Sequence, residues 1–489
     1  MAGKRAMAAA VAALALAGCG SPPQPATMRF ESRPDLTPPV ITVVKHTDAA
    51  TDGDIFIAPK QKAPQRGPEI VDANGQPVWF EPVPGPDQAA DFRVQTYKGK
   101  PVLTWWEGPV ASPILGTGYG HYVIMDDSYK VLRRVEAGLG KDTADLHEFQ
   151  LTPQGTALIT AYKTVSGSLE SIGGPKDGKI ADSIVQEVDV PTGKVLFDWH
   201  SIGHVPIEES YIPLSGPGSP PPGNPYDYFH VNSVEKEPDG NYIVSARNTS
   251  AIYELDGKTG AVLWRLGGKK SSFEMAPGTT FWWQHDARRH ADGTITLYDD
   301  GAAPPHEPQS RGIRLRLDMK AKTATLVQAD LSPDHILAGS QGNMQVLGNG
   351  HAVVGWGAVP RVTEFDGGGK IVYDATFSDG DDSYRAYRFP WSGRPTTHPA
   401  IATAKGRGGT KTIYASWNGA TGVTSWQVVA GDDAKSLAPV GEPQPVNGFE
   451  TTLHADTNAD FIAVRALGPD GEVLGTSAAV AISGGRDTG

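Results

Sequence analysis

The strongest constraint on this chain is a turn that keeps returning. Gly99, Gly155, Gly240, Gly293 and Gly350 each stand between two short runs rich in Val, Ile, Leu and Tyr, at intervals of 56, 85, 53 and 57 residues. Around the third of them, HVNSVEKE and NYIVSARN flank Asp239-Gly240-Asn241, a tight-turn signal, and predict a hairpin. IYELD and AVLWRL, split by Gly257-Lys258-Thr259-Gly260, predict a second one directly after it. Two consecutive hairpins make one four-stranded sheet, the size of a propeller blade. Repetition at this period means a radial or stacked β-array. The long interval holds a Pro/Gly/Ser-rich insertion around GPGSPPPGNP. An earlier hairpin, DIFIAP with EIVDANGQPVWFEP, supplies a further unit. The expected fold is therefore all-β, with about six blades in a ring.

The polar residues inside these apolar strands carry the functional signal. Leu146-His147-Glu148, His230-Val231-Asn232, Gln284-His285-Asp286 and Asn343-Met344-Gln345 all open the first strand of a repeat. In a propeller that strand lines the central channel, so several blades aim polar groups at one axis. Each residue also has a plain structural role available. His147 alone fits a packed channel residue as well as a catalyst, His230 with Asn232 fits hydrogen bonding between blades, and Arg247 fits an ion pair with Glu148 or Asp286. Trp199 and Trp264 read as packing anchors.

No zinc spacing, Walker loop, nucleophile elbow or dinucleotide fingerprint is present. His200 and His204 lack the glutamate of a zinc motif. The tracts from Ser378 to Arg385 and from His454 to Asp460 lack calcium-loop spacing and read as solvated turns. No cofactor or metal is expected.

Longer strings carry a resemblance. SRPDLTPP, DLHEFQ, QEVDVPTGKVLFDW, DYFHVNSV, SARNTSAIYELDGKTGAVLWRLGGK, WWQHDARR, GWG, SYRAYRFPW and SWNGATGVTSWQVVAG, in that order, resemble the arylsulfotransferase family in its lipoprotein-like branch, from about Phe30 to about Gly475. The resemblance implies a six-bladed propeller that moves a sulfuryl group from a phenolic sulfate ester to a phenol, without a nucleotide donor, through a transiently sulfated histidine. By motif it implies His285 as the nucleophile, His230, Asn232 and Arg247 as groups that hold the sulfuryl oxygens, and His147 as a further site histidine. Two departures accompany it. Tyr298-Asp299-Asp300-Gly301 stands where the characterised branch reads phenylalanine-aspartate-asparagine-glycine, and the extra module here is C-terminal.

These residue types suit that chemistry on general grounds. A neutral imidazole is a competent nucleophile near pH 7. A charge spread over three oxygens is stabilised by fixed donors, each contributing roughly 2–4 kcal/mol, and the planar fork of Arg247 matches an oxyanion better than lysine does. His230 or His147 is placed to protonate a departing phenolate. Phe281-Trp282-Trp283 is expected to offer stacking faces to an aryl ring.

The ends of the chain define its organisation. Lys4 and Arg5 precede a ten-residue apolar run, Met7 to Leu16, followed by Leu16-Ala17-Gly18-Cys19. This resembles a bacterial lipobox, with Cys19 as the lipidated residue of a signal peptide spanning 1–19. An ordinary secretory leader with a chance cysteine is the alternative. Cys19 is the single cysteine, so no disulfide forms within the chain. Residues 20–395 then form the propeller after a short tether, and 396–489 a fibronectin type III-like or Ig-like β-sandwich, read from short alternating strands such as Ile413-Tyr414-Ala415-Ser416-Trp417. The expected location is the cell envelope, with the chain lipid-anchored to the outer face of a bacterial membrane. The formal charge is −12, becoming −14 when Lys4 and Arg5 leave with the leader. Such an acidic chain without a basic patch is a poor nucleic-acid ligand. The expected partners are a small aryl sulfate donor, a phenolic acceptor and the membrane. Two other readings remain at this stage, a quinoprotein-like dehydrogenase propeller and a non-catalytic envelope scaffold.

Overall fold

A computed structural model describes residues 27–482 apart from 64, 113–115, 217, 379 and 406–409. Cys19 and the expected leader at residues 1–19 lie outside the described residues. Apart from four three-residue 3₁₀ turns, every regular element described is a strand.

Five sheets follow the repeats in chain order. Their strands are Gln88–Tyr97, Lys100–Gly108, His121–Met125 and Val131–Val135; Phe149–Leu151, Thr156–Gly167, Gly178–Asp189 and Val195–His200; Val231–Lys236, Tyr242–Ala246, Ala251–Leu255 and Val262–Gly267; His285–Arg289, Thr294–Asp299, Arg311–Asp318 and Thr323–Leu331; and Asn343–Val346, Ala352–Gly355, Arg361–Phe365 and Ile371–Thr376. The hairpin glycines from Gly99 to Gly350 sit at φ between +75° and +94°. A Cβ is disfavoured in that region, which is why each repeat turn carries glycine. A sixth sheet draws on both ends of the repeat region. Tyr387–Phe389 pairs with Asp54–Ile57, which leads on to Glu69–Val71 and Pro77–Phe80. Thr42–His46 adds a further outer strand to the fifth sheet.

Between successive sheets the alternate side chains form apolar layers. Trp199, Phe229 and Tyr253 pack in one of them, and Trp264, Phe281, Ile295 and Ile313 in the next. Trp199 and Trp264 are both buried there.

Where the first strands converge, the interior is ionic. Asp91, Arg93, Glu148, Asp286, Arg288 and Arg385 are gathered from the first, second and fourth sheets and from the segment leading into Tyr387–Phe389. Arg93 meets Glu148 at 2.6 Å, Arg385 meets Asp91 at 2.9 Å, Arg288 meets Asp286 at 2.6 Å, and Arg288 also pairs with Glu148. Three cations face three carboxylates, so the cluster is neutral as a whole.

The innermost strands are not regular. Register breaks between Ala90 and Arg93, between Val231 and Ser233, and between His285 and Arg288. Asp91, His230 and Asp286 there have φ of 54°, 57° and 56°. A bulge re-aims its side chains. His285 and Asp286, adjacent at one of these breaks, serve different surroundings, one a cavity and the other the ionic cluster.

Beyond Trp391 the chain forms two more sheets. One contains Ala400–Lys405, Thr410–Ser416 and Glu450–Asp456, the other Ser425–Asp433, Ser436–Pro439, Phe461–Leu467 and Val473–Thr476 with two short additions. They share a core of Ile413, Trp426, Val428, Leu453, Ile462 and Val464. Asn418 joins this unit to the sixth sheet by accepting from the Phe80 N–H at 3.0 Å and donating to the Phe80 carbonyl at 2.9 Å.

Candidate active site

A cavity of about 570 Å³ opens beside the ionic cluster and takes its walls from several sheets and from the Pro/Gly-rich insertion. His147, His230, Arg247 and His285 all line it, with Asp227, Gln341 and Tyr384 among their neighbours. Leu146, Val110, Ile212 and Pro220 supply apolar wall.

The three histidines share one device. His285 Nδ1 lies 2.7 Å from Asp300 Oδ2, His230 Nδ1 lies 2.5 Å from Asp227 Oδ2, and His147 Nδ1 is bonded to Asp145. A carboxylate on one ring nitrogen fixes the tautomer and frees the other nitrogen. At His285 the backbone N–H of Gln341, a residue of the cavity wall, donates to Nε2 at 3.3 Å, so the ring proton resides on Nδ1 and the Nε2 lone pair accepts this bond. The rings of His147 and His230 stand edge to face with centroids 4.9 Å apart, and Tyr384 lies against both His147 and His285.

Electrostatics separate the histidines. Burial, and then the Arg247 charge, hold His285 well below its ordinary value, with His147, His230 and Arg385 acting in the same direction. His230 is also lowered by burial, against the opposing pull of Asp227. Burial and the Arg247 charge both favour the neutral ring of His285, the form in which an imidazole can act as a nucleophile. Burial holds Asp300 well above the ordinary carboxylate range, with Arg247 opposing the rise and Asp299 adding to it, so that a cationic ring at His285 is what favours its charged form.

Arg247 forms no ion pair with a described residue. It donates to Asn248 Oδ1 at 3.0 Å and to the Gly339 carbonyl at 3.1 Å, and its guanidinium lies 5.1 Å from the centre of the Trp283 ring. Glu148 and Asp286, the partners open to it on sequence grounds, are occupied by Arg93, Arg288 and Arg385. A half-buried cation without a carboxylate partner at the edge of a cavity is chemically suited to hold an anion.

Three expectations need correction. Asn232 does not line the cavity. Past the bulge at Val231 its side chain is fully buried and donates to the Gln284 carbonyl at 2.6 Å, a link between neighbouring sheets. The aromatic flank does not offer stacking faces either. Phe281 is in the core, Trp283 lies under Arg247, and Trp282 stacks on His306 with centroids 3.8 Å apart. The acidic tract after Ser378 is not solvated. Asp381 and Asp382 are buried, Asp381 accepting from the Lys60 and Gln61 N–H groups and Asp382 pairing with Lys60 Nζ at 2.7 Å.

Sequence reasoning missed Asp145, Asp227, Gln341 and Tyr384. The first two were visible as an aspartate two residues before His147 and three before His230 in DLH and DYFH, an available signal for an oriented imidazole.

A family model described as arylsulfotransferase (ASST) matches residues 93–378, more than half of the chain and every one of these cavity histidines. The chain belongs to the arylsulfotransferase family. Several solved structures resemble this chain at low identity. A Bacteroides caccae protein of unknown function has a TM-score of 0.41 at 13% identity, covering 68% of this chain and 98% of its own. A Dyadobacter fermentans protein of unknown function has 0.36 at 11%, covering 78% and 96%. The β-propeller domain of Cps50 (Swd1) from Myceliophteria thermophila has 0.32 at 9%, covering 76% and 100%. No curated protein matches the chain.

Proposed function

We propose that this arylsulfotransferase carries a sulfuryl group from a phenolic sulfate ester to a phenolic acceptor through a sulfated His285, with no nucleotide sulfate donor. The reading rests on one observation, the convergence on a single cavity of an imidazole held at Nδ1 by Asp300, with Nε2 at the cavity wall, and an arginine without a carboxylate partner among the described residues. Arg247 holds the sulfuryl oxygens as their charge grows. The imidazolium form of His230 or His147, held by its aspartate at Nδ1, gives its Nε2 proton to the departing phenolate, and the neutral ring later takes the proton of the acceptor hydroxyl. The aryl ring rests against Leu146, Ile212 and Val110 beside Tyr384. Asn232 acts at one remove, by keeping the strand of His285 in place.

The architecture belongs to the same proposal. The six sheets form a six-bladed propeller within residues 20–395, closed by the pairing of Tyr387–Phe389 with Asp54–Ile57, and 396–489 form a fibronectin type III-like sandwich. Residues 1–19 are a lipoprotein leader, and Cys19 carries the lipid that holds the protein on the outer face of a bacterial membrane. Labelling with a fatty acid that disappears in Cys19→Ser tests the anchor.

Turnover is tested by nitrophenol release from 4-nitrophenyl sulfate, using protein that begins after Cys19, with and without a phenol acceptor. Acceptor-dependent release that is lost in His285→Ala, with acid-labile sulfate on His285, is the expected result. Equal turnover in a folded His285→Ala protein defeats the proposal.

A further inference from the structure

Sulfation of His285 creates charge in a place already crowded with cations. When Nε2 bonds to sulfur while Nδ1 keeps its hydrogen, the ring becomes an imidazolium. Around it stand Arg247, His147, His230 and Arg385, each of which disfavours added positive charge there. On its own sheet His285 lies opposite Tyr298, and Asp299 is turned to Arg311 at 2.9 Å and to the Trp282 N–H at 2.9 Å. Asp145 and Asp227 are committed to the other two histidines. Asp286 faces Arg288 and Arg385. Among the described residues, that leaves one carboxylate in contact with the ring. Asp300 reaches it from the far end of the adjoining strand, fully buried, with Oδ2 2.7 Å from Nδ1 and Oδ1 free of any hydrogen-bond partner.

We propose that Asp300 is the counter-ion of the sulfated His285, holding the ring in the Nδ1–H form before transfer and neutralising the imidazolium afterwards, so that it sets the lifetime of the covalent intermediate. The inference rests on the sulfohistidine reading above. In the first half-reaction the Nε2 lone pair forms the N–S bond as the S–O bond to the aryl group breaks. That bond's electron pair leaves on the phenolate, which takes the Nε2 proton of the imidazolium form of His230 or His147. In the second half, the acceptor hydroxyl gives its proton to the imidazole that has just lost one. The acceptor oxygen forms the new S–O bond, and the N–S pair returns to Nε2. The Nδ1 proton stays between ring and carboxylate throughout. Asp300 is thus a positioning residue, and its charge matters most while the sulfuryl group is attached.

The consequence separates charge from packing. Asp300→Asn keeps the shape and an acceptor for Nδ1–H but removes the compensating charge, so the adduct forms more slowly and also breaks down faster. A side chain that only positions the ring slows both steps when altered. With 4-nitrophenyl sulfate and no acceptor, rapid-mixing nitrophenol release gives the rate of formation, and intact-protein mass after substrate removal gives the lifetime of the adduct. The expected result for Asp300→Asn is formation slowed by at least about tenfold with the lifetime shortened by at least about tenfold. Asp300→Ser, a smaller neutral side chain, is measured beside it so that the result does not depend on one variant folding. A lifetime within about twofold of wild type, or formation and breakdown slowed together, overturns this inference while leaving the sulfohistidine reading intact. Failure of the wild-type protein to form an adduct overturns both.

Discussion

Three imidazoles in one cavity carry the same kind of partner and still differ, because each ring meets different surroundings. His285 is pressed toward neutrality by burial and by Arg247, and His230 by burial. In the unfolded chain both titrate near the ordinary histidine value of about 6.5. Below that pH the unfolded chain binds protons that the folded protein refuses, so stability is complete above about 6.5 and falls on acidification. The melting temperature, followed by circular dichroism, is expected to decline between about pH 7 and 5, and less steeply in His285→Ala. Arg247 presents the opposite case, a cation with no ion-pair partner to lose. Arg247→Lys is expected to lower kcat/KM by about 10²–10³ while leaving the melting temperature nearly unchanged, because lysine keeps the charge and loses the forked geometry.

At the scale of elements, the site depends on irregular backbone. The register breaks beside Asp91, Val231 and Asp286 turn polar residues toward the ionic cluster and the cavity. The segment leading into Asn343–Val346 brings the Gln341 N–H to His285, with Gln341 at φ 70° and Gly342 at φ +99°. A Cβ on Gly342 would meet the Tyr298 ring at 2.5 Å and the Gly355 carbonyl oxygen at 2.8 Å. Gly342→Ala is therefore expected to cost about 1–3 kcal/mol in denaturant unfolding. It should also depress turnover by moving Gln341 away from the imidazole. The aromatic flank was misread for an element-level reason. Three consecutive aromatics in an extended run cannot share one face, and a positive φ of 61° at Trp283 turns that ring beneath Arg247.

Across the whole molecule, the ionic cluster ties the first strands together. Burial by itself would raise Glu148, but Arg288, Arg385 and Arg93 bring it down to about 2. A carboxyl lowered in the folded state contributes stability above its unfolded value near 4.3, and that contribution is lost as pH falls toward 2. Glu148→Gln leaves three arginines facing two carboxylates and is expected to destabilise by about 3–5 kcal/mol in urea unfolding, abolishing this low-pH dependence. Removing residues from 384 onward takes away Arg385 and the strand Tyr387–Phe389 that pairs with Asp54–Ile57, and is expected to prevent folding. Removing only 396–489 loses the Asn418 and Gly419 links to Phe80 and Tyr129. That change is expected to lower the melting temperature by roughly 5 °C and to leave turnover within about threefold.

Local sequence determined most of the architecture. Glycine at each tight turn, with β-branched and aromatic residues on either side, admits little besides hairpins, so the sheets and their order were legible from spacing. His147, His230, Arg247 and His285 were legible too, because polar side chains inside apolar strands stand out. Tertiary structure alone decided the rest. Asp300 comes to His285 across a hairpin, Gln341 from the next sheet, and Arg385 from a strand that pairs with the opposite end of the repeats. Asn232 and His230 stand two residues apart, on the alternation that should give them the same face, yet a bulge sends one into a neighbouring sheet and the other into the cavity. Hairpins are selected by neighbouring residues, whereas a site at the meeting point of several sheets is set by long-range packing and register, which no local pattern encodes.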